Sequence, residues 1–563
     1  MSSIDWFVLG ITIVSIVVYG LWKSRGAKNI EGYLLADKEL PWYQVGLSVM
    51  ATQASAITFI SLPGQAYSDG MRFVQLYFGL PLATVILCKT FIPIFRTLNV
   101  YTAYEYLEKR FDSKTRSLTA FLFLLQRGLS TGITIYAPSI ILSAILGINI
   151  TYTTLFTGGI VISYIVYGGT KAVAYTQMFQ MAIIFSGLFV AGFMVVHLLP
   201  ADIGFLDALH LAGKMNKLNA IDTTFDLNNR YNIWSGIIGG FFLQLSYLGT
   251  DQSQVGRYLT GKSTTESRLG LVMNSLVKIP MQFLILLIGI LVFVFYQYNT
   301  PPLFFNQTEV ARIEQSTHAT EYKTLENEHI IIHNQKQTHA TELLQAMNKK
   351  DAEAITISQH RLLQDDSLAR TIKTKAVDLM AKNNVLSDPD DTNYVFLSFV
   401  TKYLPVGLVG LLIAIILLAS MGSTASGINS LASTSIIDFY KRFINTAASA
   451  HTYLSASRWA TVAWGIFCVL VALYASKLGN LIEAVNVLGS LFYGTILGIF
   501  LVAFYLKKVN GTAVFYAAIV TEIFIVCAWL LEWMAFLWLN AIGCILLICL
   551  AWSIQVSLNK IKS

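Results

Sequence analysis

Long apolar runs separated by short polar loops dominate the chain. Thirteen of them, near 4–23, 42–68, 73–98, 115–146, 151–168, 172–199, 233–258, 271–298, 394–436, 455–477, 482–506, 511–532 and 535–556, reach or approach the length of roughly 20 residues that a helix needs to cross a bilayer core. The pattern predicts an all-α polytopic membrane protein with about thirteen spanning helices. The runs 42–68 and 394–436 exceed one crossing, which predicts a tilt or a continuation along the membrane surface.

Composition strengthens this reading. Only 13% of the 563 residues are charged and 55% are hydrophobic, whereas a soluble domain is about 25% charged. A large water-soluble core is thereby excluded. Cys88, Cys468, Cys527, Cys544 and Cys549 all lie in apolar runs without metal-type spacing, so they read as small hydrophobes, with neither disulfides nor zinc expected. The run from Trp6 to Trp22 has no basic leader and no small-residue cleavage site, so it reads as a retained helix.

Lys and Arg set the expected orientation. Alternate short loops carry Lys23, Arg25, Lys28 and Lys38; Lys109, Arg110, Lys114 and Arg116; Lys171; Arg257, Lys262 and Arg268; Lys441 and Arg442; Lys507 and Lys508; Lys560 and Lys562. The opposite loops are poor in them. This places the chain in the inner (cytoplasmic) membrane, with its N-terminus outside and its C-terminus in the cytoplasm.

One stretch, 307–387, is polar and has no spanning run. Thr317-His318-Ala319-Thr320-Glu321 recurs 21 residues later as Thr338-His339-Ala340-Thr341-Glu342. Three heptads suit a helical hairpin or short coiled coil. The alternation puts this insert outside, as a solvated decoration dispensable for the work of the membrane-spanning part or as a surface for a protein partner. His318 and His339 have no supporting metal-ligand pattern.

No phosphate-binding glycine loop, nucleophile elbow or zinc motif is present, so the chain reads as no enzyme, needing no organic cofactor, and nothing points to nucleic acid. The informative positions are polar or helix-breaking residues at membrane depth. A broken helix is tolerated there only where it lines a cavity. The second run holds Ser48 to Thr58 with Pro63-Gly64, and the seventh holds Gly239-Gly240 through Asp251-Gln252. Interrupted helices at corresponding places in two halves point to a transporter's midplane site. In the ninth run, Ser420 to Ser430 is rich in small and hydroxyl residues, which suits close packing or ligands for a hard cation. Arg127 stands alone in apolar Phe121–Ile135. It either pairs or snorkels structurally, or clamps a solute carboxylate. Lys89, near a span end, is a weaker case. Asp251 suits a gate or a helix end.

Six motifs in order resemble the sodium/solute symporter family: Ala51–Tyr67, Tyr101–Phe111, Gly132–Pro138, Gly168–Val173, Gln252–Tyr258 and Ser423–Ser430. The similarity is to the branch with sodium–iodide, monocarboxylate and multivitamin symporters and to bacterial sialic acid and galactose transporters. It covers nearly the whole chain except 307–387. The resemblance implies a five-plus-five inverted repeat: 1–41 an extra helix and cytoplasmic loop, 42–199 the first repeat, 231–506 the second, interrupted by the insert, and 507–563 extra helices. It implies a sodium ion held by the carbonyls of Ala51, Ala54 and Ala419 and the hydroxyl of Ser423. It implies solute contacts at Ser55, Thr58, Tyr77 and Gln244, with Tyr247 as an inner-gate aromatic.

Three positions depart from the family pattern. Gly422 stands where a sodium-ligating hydroxyl is usual, Gln177 where some relatives carry a second-site carboxylate, and Ser130 where sialic acid transporters place an arginine. Arg127 lies one turn before Ser130. The expected function is sodium-coupled import of a small polar solute, an organic anion or a sugar, by alternating access within the lipid bilayer. The competing expectations are an uncoupled or proton-coupled carrier and a membrane sensor.

Overall fold

The computed structural model describes residues 1–24, 38–98, 100–384, 389–475 and 478–562. Arg25 and Lys28 of the first basic loop, and 385–387 of the insert, lie outside the described residues. The helices in chain order are α1 Ser3–Ser24, α2 Trp42–Gln53, α3 Ala56–Asp69, α4 Leu80–Ile86, α5 Ile92–Thr97, α6 Glu105–Arg110, α7 Ser113–Leu146, α8 Ile150–His197 and α9 Phe205–Lys214. They continue as α10 Gly240–Thr250, α11 Gln252–Tyr258, α12 Thr264–Tyr298, α13 Gln307–Glu314, α14 Ala319–Lys349, α15 Ala352–Asn383 and α16 Thr392–Tyr403. The last five are α17 Leu408–Thr434, α18 Ala450–Tyr474, α19 Leu481–Tyr505, α20 Gly511–Leu530 and α21 Phe536–Lys562. Among the described residues nine helical stretches are long and apolar enough to cross a membrane, and Ser3–Ile16 and Ile150–Ser163 are shorter apolar ones.

Several runs are built differently from their pattern. The long run 42–68 does not tilt as one rod: it is cut into α2 and α3 at Ala54, which leaves the helical region at ψ 85°, and Ser55, which is extended at ψ 174°. The run 394–436 is likewise two helices, α16 and α17. Leu404 precedes Pro405 and is extended, as the proline ring demands, and Gly407 turns at φ +90°. The runs 151–168 and 172–199 go the other way and form the single 48-residue helix α8. No proline separates them, and the Gly168-Gly169 pair costs a helix only about 1 kcal/mol per glycine. At 1.5 Å per residue α8 is roughly 72 Å long, more than twice a bilayer core.

Close backbone contacts set the packing at the centre. A Cβ on Gly64 of α3 would run into the Thr392 carbonyl at the start of α16, and one on Gly289 of α12 into the Pro63 carbonyl. Only glycine admits such an approach, so α3 is pressed between α12 and α16. On the basic side, Arg116 is not a loose loop charge. It pairs with Glu108 and with buried Asp438, both at 2.7 Å.

The insert is a hairpin of α14 and α15 stitched by His339 Nδ1 to Asp365 at 2.6 Å and Lys336 to Asp366 at 2.8 Å. Leu303, Phe304, Ile313, Tyr322, Leu379 and Met380 form a small separate core at its base. Gln359 of α15 donates to the Lys214 carbonyl at 2.8 Å, which ties the hairpin to the end of α9.

Candidate functional site

The break between α2 and α3 leaves backbone groups unpaired by a helix at Gln53-Ala54-Ser55. Thr52 turns its hydroxyl back to the Ser48 carbonyl at 2.8 Å within α2, and the end of α2 is closed by the Ala54 N–H, which donates to the Met50 carbonyl at 2.8 Å. In the seventh run the break falls at Asp251 rather than at Gly239-Gly240, where Ser235–Gly239 winds as a π-helix. Asp251 sits there because it caps the next helix: its Oδ1 accepts from Ser253 N at 2.8 Å and Ser253 Oγ at 2.7 Å.

The first break, at Gln53 and Ser55, and the helix α10 that leads to the second, through Gln244 and Tyr247, face one cavity of about 90 Å³. Ser55, Thr58, Tyr77, Arg127, Gln244 and Tyr247 all line it, and so does Ser423. The structure therefore brings together all six positions expected to touch solute, from α3, the 3₁₀ turn Gly70–Tyr77, α7 and α10.

Arg127 reaches this cavity, but its charge is neutralised. Its Nη2 donates to Asp251 Oδ2 and, at 3.3 Å, to the Tyr493 hydroxyl. Tyr493 itself donates to the same carboxylate oxygen at 2.9 Å. The guanidinium also lies 5.4 Å from the centre of the Tyr247 ring, which stacks on Tyr493 at 5.8 Å. Tyr247 is fixed from the other side by Gln254, which donates to its hydroxyl at 2.8 Å. These groups form a closed floor under the cavity. Lys89, the other intramembrane cation weighed from sequence, is exposed.

The cation that the sequence reading passed over is Lys278 of α12. It is 5% exposed, lines the cavity, donates to Gln53 Oε1 and lies 5.1 Å from the centre of the Tyr77 ring. Among the described residues no carboxylate pairs with it. A lone lysine just before Pro280 in an apolar run carried the same signal as Arg127.

The expected sodium positions are all buried: Ala51 and Ala54 at 3% and 1% exposure, Ala419 at 2%, Ser423 at 7%. Ser423 donates back to the carbonyls of Ala419 and Ser420, each at 3.1 Å. Thr52 and Ser426, 3.0 Å apart through their hydroxyls, join α2 to α17 beside them. A hard cation takes oxygen ligands of this kind, carbonyl and hydroxyl.

The departures at Gly422 and Gln177 belong together. A Cβ at Gly422 would lie 2.7 Å from Gln180 Oε1. Gln177 accepts from Ser48 Oγ at 2.7 Å and donates to the Gly422 carbonyl and to Ser426 Oγ, each at 3.1 Å. Two glutamines of α8 thus fill the space beside α17 that a larger residue at 422 would need, and a neutral amide bridges α2, α8 and α17.

Two interrupted helices around a small polar cavity, with buried oxygens on one flank and charged groups on the other, define a membrane transporter architecture. The chain belongs to the sodium:solute symporter family, whose model matches residues 33–321 and 368–521. The unmatched interval falls within the hairpin. The chain is 32% identical over 305 residues to the human sodium/iodide cotransporter, covering 53% of this chain and 46% of that one. It is 28% identical over 526 residues to the sodium/glucose cotransporter of Vibrio parahaemolyticus, covering 91% and 82%. The chain spans under half the length of the first relative and most of the second. A solved Na+-coupled sialic acid symporter, in a substrate-bound outward-open state, has the same fold, with a TM-score of 0.75 at 21% identity over 98% of both chains.

Proposed function

We propose that this chain imports a small organic anion together with sodium, by alternating access around the cavity between the two breaks. The observation that carries the anion is Lys278. Arg127 is balanced by Asp251, whereas Lys278 meets only the neutral Gln53 amide and the Tyr77 ring. A buried ammonium without a counter-charge is costly in a low-dielectric interior, and an anionic solute removes that cost. Sodium at Ala51, Ala54, Ala419 and Ser423 would bring the positive charge that makes anion entry against the membrane potential favourable. Two helices broken at Ala54-Ser55 and at Asp251 support the inverted-repeat reading of 42–199 and 231–506. The basic loops at Lys109 to Arg116, Arg257 to Arg268, Lys441-Arg442 and Lys507-Lys508, without Lys171, which lies inside α8, support an N-terminus outside, a cytoplasmic C-terminus and a hairpin on the outer face of the inner membrane.

Uptake by proteoliposomes, with and without an inward sodium gradient, tests this directly. Accumulation of short carboxylates only with the gradient is expected; gradient-independent equilibration sinks the coupling. A sugar or polyol is the second reading, because Gln244 Oε1 and Gln53 Nε2 are buried at the cavity without a hydrogen-bond partner. Sugar uptake with no carboxylate uptake would favour it.

A further inference from the structure

A second cavity, of about 270 Å³, lies between the hairpin and the body of the protein. It is three times the volume of the central one and is strung on the same two helices. The C-terminal end of α3, Tyr67 to Asp69, forms one wall, and Phe293 to Gln297 of α12 form another. Ser68 lies ten residues beyond Thr58, roughly 15 Å along the helix, and Phe293 lies fifteen residues beyond Lys278, roughly 22 Å. Both therefore point from the central cavity toward the face that carries the hairpin.

Its walls combine cations with aromatic rings. Lys217 is 5% exposed, and its ammonium donates to the carbonyls of Tyr67 at 2.9 Å and Ser68 at 2.5 Å. An ammonium has three donors, so one remains. It stands 4.5 Å from the centre of the Phe293 ring. From the hairpin, Lys336 and Arg370 share the carboxylate of Asp366, each at 2.8 Å, and Lys373 takes Asp391 at 2.6 Å. Four cations thus face three carboxylates, Asp366, Asp391 and Asp69, which leaves one positive charge. His333, 2% exposed, has its Nε2 buried there without a partner.

We propose that this cavity is a second binding site, an antechamber for small organic anions with an apolar face, which holds the solute before the central cavity takes it. A carboxylate would take the free donor of Lys217 and the Nε2–H of His333, while its hydrocarbon part would lie along Phe293 and Tyr67. The proposal rests on the reading of the central site as an anion site, but its chemistry is its own, since the hairpin supplies half of it. It gives the insert a role in capture at low solute concentration and leaves the maximal rate to the body.

Calorimetric titration of benzoate into the full chain in lipid nanodiscs, with and without sodium, tests it. Sodium-independent benzoate binding is expected in the unaltered chain. Lys217→Met should weaken it at least tenfold. Asp366→Asn should strengthen it at least threefold, because it removes a competing carboxylate; a merely structural disturbance would not tighten binding. If Lys217→Met fails to fold, replacement of 316–383 by a Gly/Ser linker serves instead and should abolish the sodium-independent binding. Absence of sodium-independent binding, or binding indifferent to these changes, overturns the proposal. The central site is read separately: loss of a sodium-dependent component in Lys278→Met supports it, and absence of any such component in the unaltered chain counts against the central site alone.

Discussion

The guanidinium of Arg127 on α7 is bonded to the carboxylate of Asp251 at the break between α10 and α11, 124 residues away in the chain. The pair lies under the cavity with the rings of Tyr247 and Tyr493 around it, so the two long-separated helices are latched on the side where the basic loops begin. Asp251 holds the latch with one oxygen and caps α11 with the other.

The latch makes a prediction about coupling between its partners. Removing one member of a buried pair leaves an uncompensated charge, which costs about 3–5 kcal/mol. Asp251→Asn and Arg127→Gln should each lower uptake more than tenfold. The double variant, which buries no charge, should recover part of that loss. Uptake and thermal stability of the three variants measure this; strictly additive losses would show that the pair does not act as a unit.

Solute charge should be set at Lys278 and not at Arg127. Lys278→Gln should raise the apparent KM for a transported carboxylate at least tenfold and leave sodium binding in place. Initial uptake rates across solute concentration check it. An unchanged KM would return the anion role to Arg127.

A single sodium ion should accompany each solute. Gln177 offers no charge and has its amide engaged by Ser48, Gly422 and Ser426. Uptake against sodium concentration should give a Hill coefficient near one. Gln177→Asp places a carboxylate among the hydroxyls of Ser48, Thr52 and Ser426 and should raise that coefficient. Gly422→Ser restores a hydroxyl beside Gln180, whose Oε1 has no partner and can turn aside for the new Cβ, and should strengthen sodium dependence. Two sodium ions per solute in the unaltered chain would contradict this account.

The antechamber should be sensitive to alkali. Burial pushes the Lys217 ammonium down to about 8, against the pull of Asp366 and Asp69 and with the push of Arg370 and Lys336. Between pH 8 and the ordinary lysine range the unfolded chain binds more protons than the folded one, so this group's contribution to stability rises with pH there. Anion binding runs the other way: it needs the charged form and should fade as pH rises through about 8. Benzoate affinity from pH 7 to 9 measures it, and Lys217→Met should show no such fall.

The hairpin should loosen in acid. Burial, with Lys336 nearby, pushes His329 and His333 down to about 4 from the ordinary 6.5. Between those values the unfolded chain binds the extra protons, so stability is lost as pH falls from 6.5 toward 4. Amide hydrogen exchange in α14 and α15 at pH 7 and pH 5 should show faster exchange at the lower value. His333→Leu should reduce the difference.

What the sequence determined was local. Apolar runs and their lengths give the helices, because each helix satisfies its own backbone and needs only an apolar exterior. The polar run around Ala51–Thr58 announced a break, and the insert's three-heptad spacing announced a hairpin. Tertiary structure decided what joins across the chain. Whether the lone Arg127 is free or paired depends on Asp251. Gly239-Gly240, the more obvious breaker, stays wound and the capping aspartate makes the break instead. Lys278, overlooked in its apolar run, faces the cavity because α12 is pressed on α3 through Gly289. Gly422 lies against two glutamines of another helix, Gln180 and Gln177, which only the packing of α8 on α17 brings there. Hydrophobic period records which residues avoid water, but ion pairs, amide bridges and cavities depend on which helices meet, and only the folded packing fixes that.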